Sequence, residues 1–211
     1  MINKAKIVKD FLDVVAKDAA CTLDYTTDYS LLIAIMLSAQ CIDKKVNAVT
    51  KVLFSDYQSL VELDKASLLD IENHIKSLGL YKNKAKYIKG ITHDLLTRFN
   101  GSVPNSKKEM MTLPGIGNKT ANVMLIEWFK VPEFPVDTHV NRVAKRLGYA
   151  NESDSVLDVE KKLCRSFDKK DWIDLHHKFI YFGRNICKAQ SPLCAECKLH
   201  ECCKYFKTMK Q

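Results

Sequence analysis

Apolar residues recur at helical spacing along most of the chain, and this periodicity limits the possible folds more than any other feature. One such stripe near the N-terminus consists of Ile7, Val8, Phe11, Leu12 and Val15. The same spacing predicts further helices at 82–99, 118–129, 138–147, 156–167 and 172–186. Alternating apolar and polar runs long enough for strands are absent from the sequence. With 211 residues, 46% of them hydrophobic, the chain can bury a substantial core, and we predict an all-α fold.

The charge balance points to a polyanionic partner. The chain has 33 basic and 25 acidic residues, a net charge of +8, which favours nucleic acid first and an anionic membrane second. A basic protein that is merely soluble is the alternative. The longest apolar run, Leu31–Leu37, is far shorter than the ~20 residues that span a bilayer, and the N-terminus lacks the apolar block of a signal peptide. We expect a monomer in the bacterial cytosol or nucleoid, with no membrane partner.

A glycine-rich turn joins two short predicted helices in the middle of the chain. Ser106 and Glu109 have capping-box spacing and begin the first helix, and Leu113-Pro-Gly-Ile-Gly117 forms the turn. Gly115 and Gly117 would allow positive φ and a close approach to another surface. The second helix would present its free N–H groups as a phosphate-binding site. The pattern is typical of a helix-hairpin-helix, and a turn without any ligand is the alternative.

Lys119 lies in the first turn of the second predicted helix. The helix dipole disfavours a cation there by about 0.3–1 kcal/mol, so a purely structural sequence would rarely place a lysine at this position. One interpretation is a contact with a DNA phosphate. The other is a nucleophilic amine for Schiff-base chemistry, whose neutral form the helix N-terminus and partial burial would both favour.

The stiff segment 131–135, Val-Pro-Glu-Phe-Pro, separates the central helices from a C-terminal block. Asp137 follows it, directly before a helix, where it would act as an N-cap. A cap also holds its carboxylate rigidly, and a link that folds back would bring this group opposite Lys119. His139, in the first turn of the same helix, could reach a phosphate or be an ordinary surface histidine.

Five of the eight cysteines fall between residues 187 and 203. Cys187, Cys194, Cys197 and Cys203 crowd four thiols into a turn-rich segment, which in a reducing compartment predicts metal binding. Structural zinc usually uses two CxxC pairs, whereas a cubane cluster accepts wider spacing. The adjacent Cys202 leaves the fourth ligand open. The scattered cysteines, Cys21, Cys41 and Cys164, are predicted to be buried structural thiols.

Five motifs in this order resemble the endonuclease III family of helix-hairpin-helix DNA glycosylases, over roughly residues 4 to 206. They are Leu31-Leu-Ile-Ala-Ile-Met-Leu-Ser-Ala-Gln40, Gly79-Leu-Tyr81, Leu113-Pro-Gly-Ile-Gly-Asn-Lys-Thr-Ala-Asn122, Val136-Asp-Thr-His139 and the cysteine series. The resemblance implies that Lys119 is the Schiff-base nucleophile and Asp137 the catalytic carboxylate. It implies that Gln40 and Leu80 fill the gap left by a flipped nucleotide. For Leu80, the apolar contact of a helix C-cap is the alternative.

The resemblance also implies a two-lobed fold and a cofactor. Residues 21–131 would form a six-helix barrel with the helix-hairpin-helix, and residues 1–20 with 132–211 a discontinuous second lobe. That lobe would carry a [4Fe–4S] cluster, with Cys203 as the fourth ligand. Three differences from the family pattern stand out: Cys41 and Ile42 where a small residue and a threonine are usual, and Asn118 in place of a basic residue. In addition, the loop 188–193 holds only one basic side chain.

The function implied is that of a bifunctional DNA glycosylase and abasic-site lyase of base-excision repair. It would remove oxidised pyrimidines from double-stranded DNA that contains damaged bases or abasic sites, and then cleave the strand by β-elimination. One alternative is a monofunctional mismatch glycosylase, which lacks a lysine at the position of Lys119. A second is a non-catalytic DNA-binding protein that uses an iron–sulfur cluster as a redox sensor.

Overall fold

The computed structural model describes residues 3–209 and is built of helices and turns, with no strand in that range. The all-α prediction is therefore confirmed. The chain divides into two compact units, one of residues 22–131 and one that combines the N-terminal residues up to 21 with residues from 132 onward. The family resemblance implied limits after residues 20 and 131. None of the helices within 3–209 is both long enough and apolar enough to cross a membrane.

The 22–131 unit contains seven helices in its described residues. They are α2 (Asp28–Leu37), α3 (Asp43–Asp56), α4 (Leu60–Lys65), α5 (Leu68–Ile75), α6 (Tyr81–Arg98), α7 (Lys107–Met110) and α8 (Asn118–Glu127). Residues 31–37 of α2 are all buried, so this helix forms the centre of the core and contacts α3, α6 and α8. A capping box between Thr27 and Ser30 begins it.

The helix ends in this unit follow the local sequence. After α6, Asn100 and Gly101 adopt the left-handed conformation with φ of 52° and 78°, and the Gly101 amide donates to the Leu95 carbonyl at 2.8 Å. An Asn-Gly pair in this conformation is a common way to end a helix. On α3, Val46, Val49 and Leu53 are buried as their spacing suggests.

The second unit consists of α1 (Lys4–Val15), α9 (Thr138–Leu147), α10 (Val156–Ser166), α11 (Trp172–Asn185) and α12 (Lys204–Met209). Val8 and Leu12 of α1 belong to the same buried cluster as Phe179 and Phe182 of α11. The half-buried Asp13 of α1 accepts a hydrogen bond of 2.6 Å from Lys178. Apolar burial and this ion pair fix the N-terminal helix to the C-terminal block.

Candidate functional site

The glycine-rich turn between α7 and α8 has the hairpin geometry expected from its sequence, with one difference. Gly115 has φ of 75°, and a Cβ at this position would lie 2.6 Å from the ring of Tyr87. Glycine is therefore required there for both conformation and space. Gly117 instead has φ of −101° and ψ of −179°, so the prediction of positive φ is wrong for this residue. It is the N-cap of α8, and a Cβ there would meet no atom within 4 Å.

The start of α8 is open to a ligand. Because Gly117 has no side chain, it cannot cap the first amides of the helix, and the first turn of α8 contains no acidic residue. Lys119 is the second residue of this helix, and its side chain is exposed. The partial burial expected for Lys119 is thus absent in the free protein. The positive end of the helix dipole and the lysine therefore lie at the same surface of this unit.

Asp137 caps α9, as its position predicted. Its Oδ1 accepts a hydrogen bond of 2.8 Å from the Val140 amide, and the side chain is half-buried. The preceding residues Phe134 and Val136 are buried, and the Pro135 carbonyl is bonded to Nδ1 of the buried His176 at 2.9 Å. These contacts hold the carboxylate in one orientation. Lys119 belongs to the 22–131 unit and Asp137 to the other.

His139 lies in the first turn of α9 and is half-buried. Burial lowers the pKa of His139; Asp137 opposes this shift, and the guanidiniums of Arg142 and Arg184 reinforce it. Arg142 Nη2 lies 3.3 Å from its Nδ1. An ordinary histidine has a pKa near 6.5, so His139 is neutral at neutral pH. It offers a hydrogen bond to a ligand rather than a positive charge.

Four of the crowded cysteines line a single cavity in the second unit. Its walls are Cys187, Cys194, Cys197 and Cys203 together with Leu147, Phe182, Ile186, Pro192, Leu193 and Tyr205. Burial, and then the thiols of Cys187 and Cys203, raise the pKa of Cys194. Thiols that interact in this way cannot all ionise without a compensating cation. Among residues 3–209, however, no three potential ligands are placed to hold a single metal ion.

Cys202 lies outside this cavity. It lines a different one with Lys4, Gly148 and Lys204, and its Sγ donates to the Leu199 carbonyl at 3.4 Å. Burial raises the pKa of Cys202, while the ammonium of Lys4 opposes that shift. The spacing of the cysteines left open whether Cys202 or Cys203 is the fourth sulfur, and the family resemblance implied Cys203. The structure groups Cys203 with the other three.

The scattered cysteines are less enclosed than predicted. Cys21, Cys41 and Cys164 are each half-buried rather than fully buried. Burial raises the pKa of Cys164 to about 11, so this thiol stays protonated at neutral pH.

Two arginines of α9 fasten the cysteine segment, and sequence reasoning missed both. Arg142 donates to the Cys187 carbonyl at 3.1 Å and to the Gly183 carbonyl at 2.7 Å. Arg146 donates to the Lys188 carbonyl at 2.6 Å and to the Ala189 carbonyl at 3.1 Å. The same helix is thus capped by Asp137 and holds the cysteine segment. The i, i+4 spacing of the arginines was the available signal, but it did not reveal carbonyl partners about forty residues away.

Gln40 and Leu80 both lie in left-handed turns of the 22–131 unit. Gln40 has φ of 58° and is exposed, in the loop between α2 and α3. Leu80 has φ of 59°, is 61% exposed, and is the N-cap of α6. The alternative that Leu80 is an apolar C-cap contact is therefore wrong. Non-glycine residues in this conformation are strained, and such strain is concentrated at functional sites.

Ile42, two residues after Gln40, differs from the threonine of the family pattern at the start of α3. Ile42 is the N-cap of α3, makes no side-chain capping bond and is 62% exposed. A threonine would supply a hydroxyl cap at this position. Ile42 instead adds an apolar side chain to the surface beside Gln40.

Comparison with known proteins agrees with these features. The profile of the HhH-GPD superfamily base excision DNA repair proteins matches residues 33–169, more than half of the chain. Endonuclease III of Bacillus subtilis (strain 168) is 47% identical over 186 residues, which are 88% of this chain and 85% of that protein. The chain belongs to the endonuclease III family. Its members include the Synechocystis sp. enzyme, 39% identical over 96% of this chain and 94% of that protein.

A solved endonuclease III–DNA complex shows the same fold. A non-covalent complex superimposes with a TM-score of 0.93 at 44% identity, over 100% of both chains. As an endonuclease III family protein, this chain is a DNA glycosylase and abasic-site lyase of base-excision repair. Its partner is DNA.

Proposed function

We propose that the protein excises oxidised pyrimidines from double-stranded DNA and cleaves abasic sites, with Lys119 as the Schiff-base nucleophile. The observation that carries this proposal is the exposed amine of Lys119 at the open N-terminus of α8, directly after the Gly115–Gly117 turn. A cation at a helix N-terminus is unfavourable for stability, so a functional reason is needed for it. DNA that covers the amine would remove water from it and favour the neutral, nucleophilic form.

The chemistry follows from a neutral amine facing the sugar of a flipped nucleotide. Lys119 Nζ attacks C1′, and the N-glycosidic bond breaks with its electron pair leaving on the base, which takes up a proton. Loss of an amine proton and opening of the sugar ring give an iminium between Nζ and C1′. The iminium acidifies the C2′ hydrogens. Removal of one of them expels the 3′ phosphate and cleaves the strand.

Asp137 is proposed as the catalytic carboxylate. Positive charge builds on the sugar as the base departs, and a fixed carboxylate stabilises that charge. The cap bond to the Val140 amide fixes the carboxylate before DNA binds, so little reorganisation is needed. The same group can hold protons released around the amine.

We assign the remaining predicted residues to contacts with DNA. The amides that follow Gly117, together with the turn at Gly115, bind backbone phosphate. Gln40 and Leu80 occupy the space that the flipped nucleotide leaves, and their exposed left-handed turns project them from the surface. His139, neutral at neutral pH, hydrogen-bonds to phosphate.

We also propose that Cys187, Cys194, Cys197 and Cys203 hold a [4Fe–4S] cluster. These four thiols line one cavity, yet no three potential metal ligands among the described residues converge on a single-ion site. A cluster spreads its ligands further apart than one zinc ion, whose bonds to sulfur are about 2.3 Å. The cluster, when bound, supplies a four-point link that orders the segment 187–203. Arg142 and Arg146 hold that segment against α9.

The ligand assignment predicts opposite effects at the two adjacent cysteines. Cys202→Ser should retain iron and the brown absorbance of the cluster, because Cys202 lies outside the cysteine cavity. Cys203→Ser should lose or damage the cluster, since it removes one of four thiolates. Iron and sulfide analysis with visible absorbance measures both. Cluster loss in Cys202→Ser with retention in Cys203→Ser would reassign the fourth ligand.

The test of the proposed function is borohydride reduction in the presence of an abasic duplex. A lysine Schiff base gives a covalent protein–DNA adduct, whereas a monofunctional mismatch glycosylase or a redox-sensing binding protein gives none. Release of an oxidised pyrimidine from a second duplex tests the lesion class. Binding to DNA without any adduct would favour the non-catalytic alternative.

A further inference from the structure

Lys84 of α6 is a buried lysine that contacts the loop bearing Gln40. It is only 4% exposed. Its ammonium donates to the Leu37 carbonyl and the Ala39 carbonyl, both at 2.9 Å, and to Cys41 Sγ at 3.2 Å. An ammonium has three N–H donors, so these acceptors account for all of them.

The three acceptors surround Gln40 in the sequence. Leu37 ends α2, and its carbonyl belongs to the last turn, where carbonyls lack helical partners and the helix dipole is negative. Ala39 and Cys41 flank Gln40 directly. The lysine therefore binds the loop on both sides of Gln40, which has positive φ. The side chain of Gln40 itself stays exposed.

Lys84 also lies one helical turn after Leu80. Its backbone amide donates to the Leu80 carbonyl at 3.1 Å in the first turn of α6. This is an ordinary helical hydrogen bond, and only the side chain of Lys84 makes contacts that depend on the residue being a lysine. A lysine needed only for solubility would be exposed, as Lys82 and Lys86 on the same helix are.

We infer that Lys84 is a positioning residue that fixes Gln40 in the geometry needed to fill the gap in damaged DNA. This inference rests on the proposed function. Lys84 does not touch the reacting atoms. Its ammonium holds the loop at Gln40 in one conformation before DNA binds. The free energy of DNA binding therefore does not include the entropy cost of ordering this loop.

The test uses Lys84→Met, which keeps the length and apolar stem of the side chain and removes the ammonium. Single-turnover release of an oxidised pyrimidine from a duplex should fall roughly 10- to 100-fold, as expected for loss of buried charged hydrogen bonds. A duplex with 2-aminopurine opposite the lesion reports gap filling separately from chemistry. Its fluorescence change on binding should shrink in Lys84→Met, and it should shrink likewise in Gln40→Ala.

A double-mutant cycle shows whether Lys84 acts through Gln40. Adding Lys84→Met to Gln40→Ala should cause little further loss, because residues that act as a unit are not additive. Hydrogen exchange at residues 38–41 should accelerate in Lys84→Met, while α2 stays protected. Lys86→Met removes the same charge from the exposed face of α6. Any loss of excision or of fluorescence change in that variant therefore measures the effect of net charge alone.

Two further variants keep the test decisive if Lys84→Met does not fold. Lys84→Arg retains charge and donors and should recover much of the fluorescence change, whereas Lys84→Gln should recover less. Wild-type excision and fluorescence in a folded Lys84 variant without the ammonium would overturn the inference, as would full additivity with Gln40→Ala. If the wild-type protein neither excises the base nor forms a trapped adduct, the proposed function fails instead.

Discussion

Lys119→Gln is expected to abolish the borohydride-trapped adduct and strand cleavage at abasic sites. The amide nitrogen of glutamine cannot form an iminium, and no other residue is proposed as the nucleophile. The substitution is made at an exposed position, so the fold, the cysteine cavity and most of the DNA affinity should survive. Adduct formation is measured on a denaturing gel with an abasic duplex, and affinity on an uncleavable analogue.

The free energy of unfolding provides a second readout for the same variant. Removing a cation from the first turn of α8 should stabilise the protein by about 0.3–1 kcal/mol at low salt. A gain in stability with a loss of activity is the mark of a residue retained for function. Denaturant unfolding of both proteins measures this difference.

Lys108→Gln is the matched control, since it removes the same charge from an exposed position on α7, the other helix of the hairpin. It should retain adduct formation and show only a modest loss of DNA affinity. A trapped adduct that forms in Lys119→Gln at the wild-type rate would place the nucleophile elsewhere.

Asp137→Asn is expected to lower turnover by about 10²–10⁴, the usual size of an acid–base contribution. Asparagine is as good an N-cap as aspartate, so the bond to the Val140 amide and the start of α9 should be kept. Any loss then reports the negative charge and not the fold. Single-turnover rates on a duplex with an oxidised pyrimidine give the size of the effect.

Asp137→Ser and Asp137→Ala separate the two roles of this residue. Serine also caps, so Asp137→Ser should match Asp137→Asn in both stability and activity. Alanine cannot cap, so Asp137→Ala should lose a further 0.5–2 kcal/mol or so of stability. Full activity in Asp137→Asn would show that the residue acts only as the N-cap of α9.

Much of the fold could be predicted because its signals are local. The spacing of apolar residues revealed α1, α6, α9, α10 and α11, and caps and glycines set most of their ends. The central helix α2 was not recognised as a helix, since it is apolar on every side and leaves no periodicity. The short helices α4 and α5 offered too few turns for a clear pattern.

The candidate residues of the site were likewise suggested by residue type and order. Lysine after Gly-Ile-Gly indicated either a phosphate contact or a nucleophile, aspartate before a helix indicated a cap, and four close cysteines indicated a metal site. The resemblance to the endonuclease III family then implied the nucleophile, the catalytic carboxylate and the iron–sulfur cluster. These residues were visible because each stands in an unusual local context, such as a cation at a helix N-terminus. The roles of Lys119 and Asp137 remain proposals that the variants above will test.

Only the tertiary structure decided which groups meet across the sequence. Cys203 rather than Cys202 shares the cavity with the other three thiols, although the two are neighbours in the chain. Arg146 holds the loop at Lys188, and Lys84 holds the loop at Gln40, each from a distant helix. Buried cations must be satisfied by whatever acceptors the packing brings near. That choice depends on the folded arrangement of the chain, and no local pattern in the sequence records it.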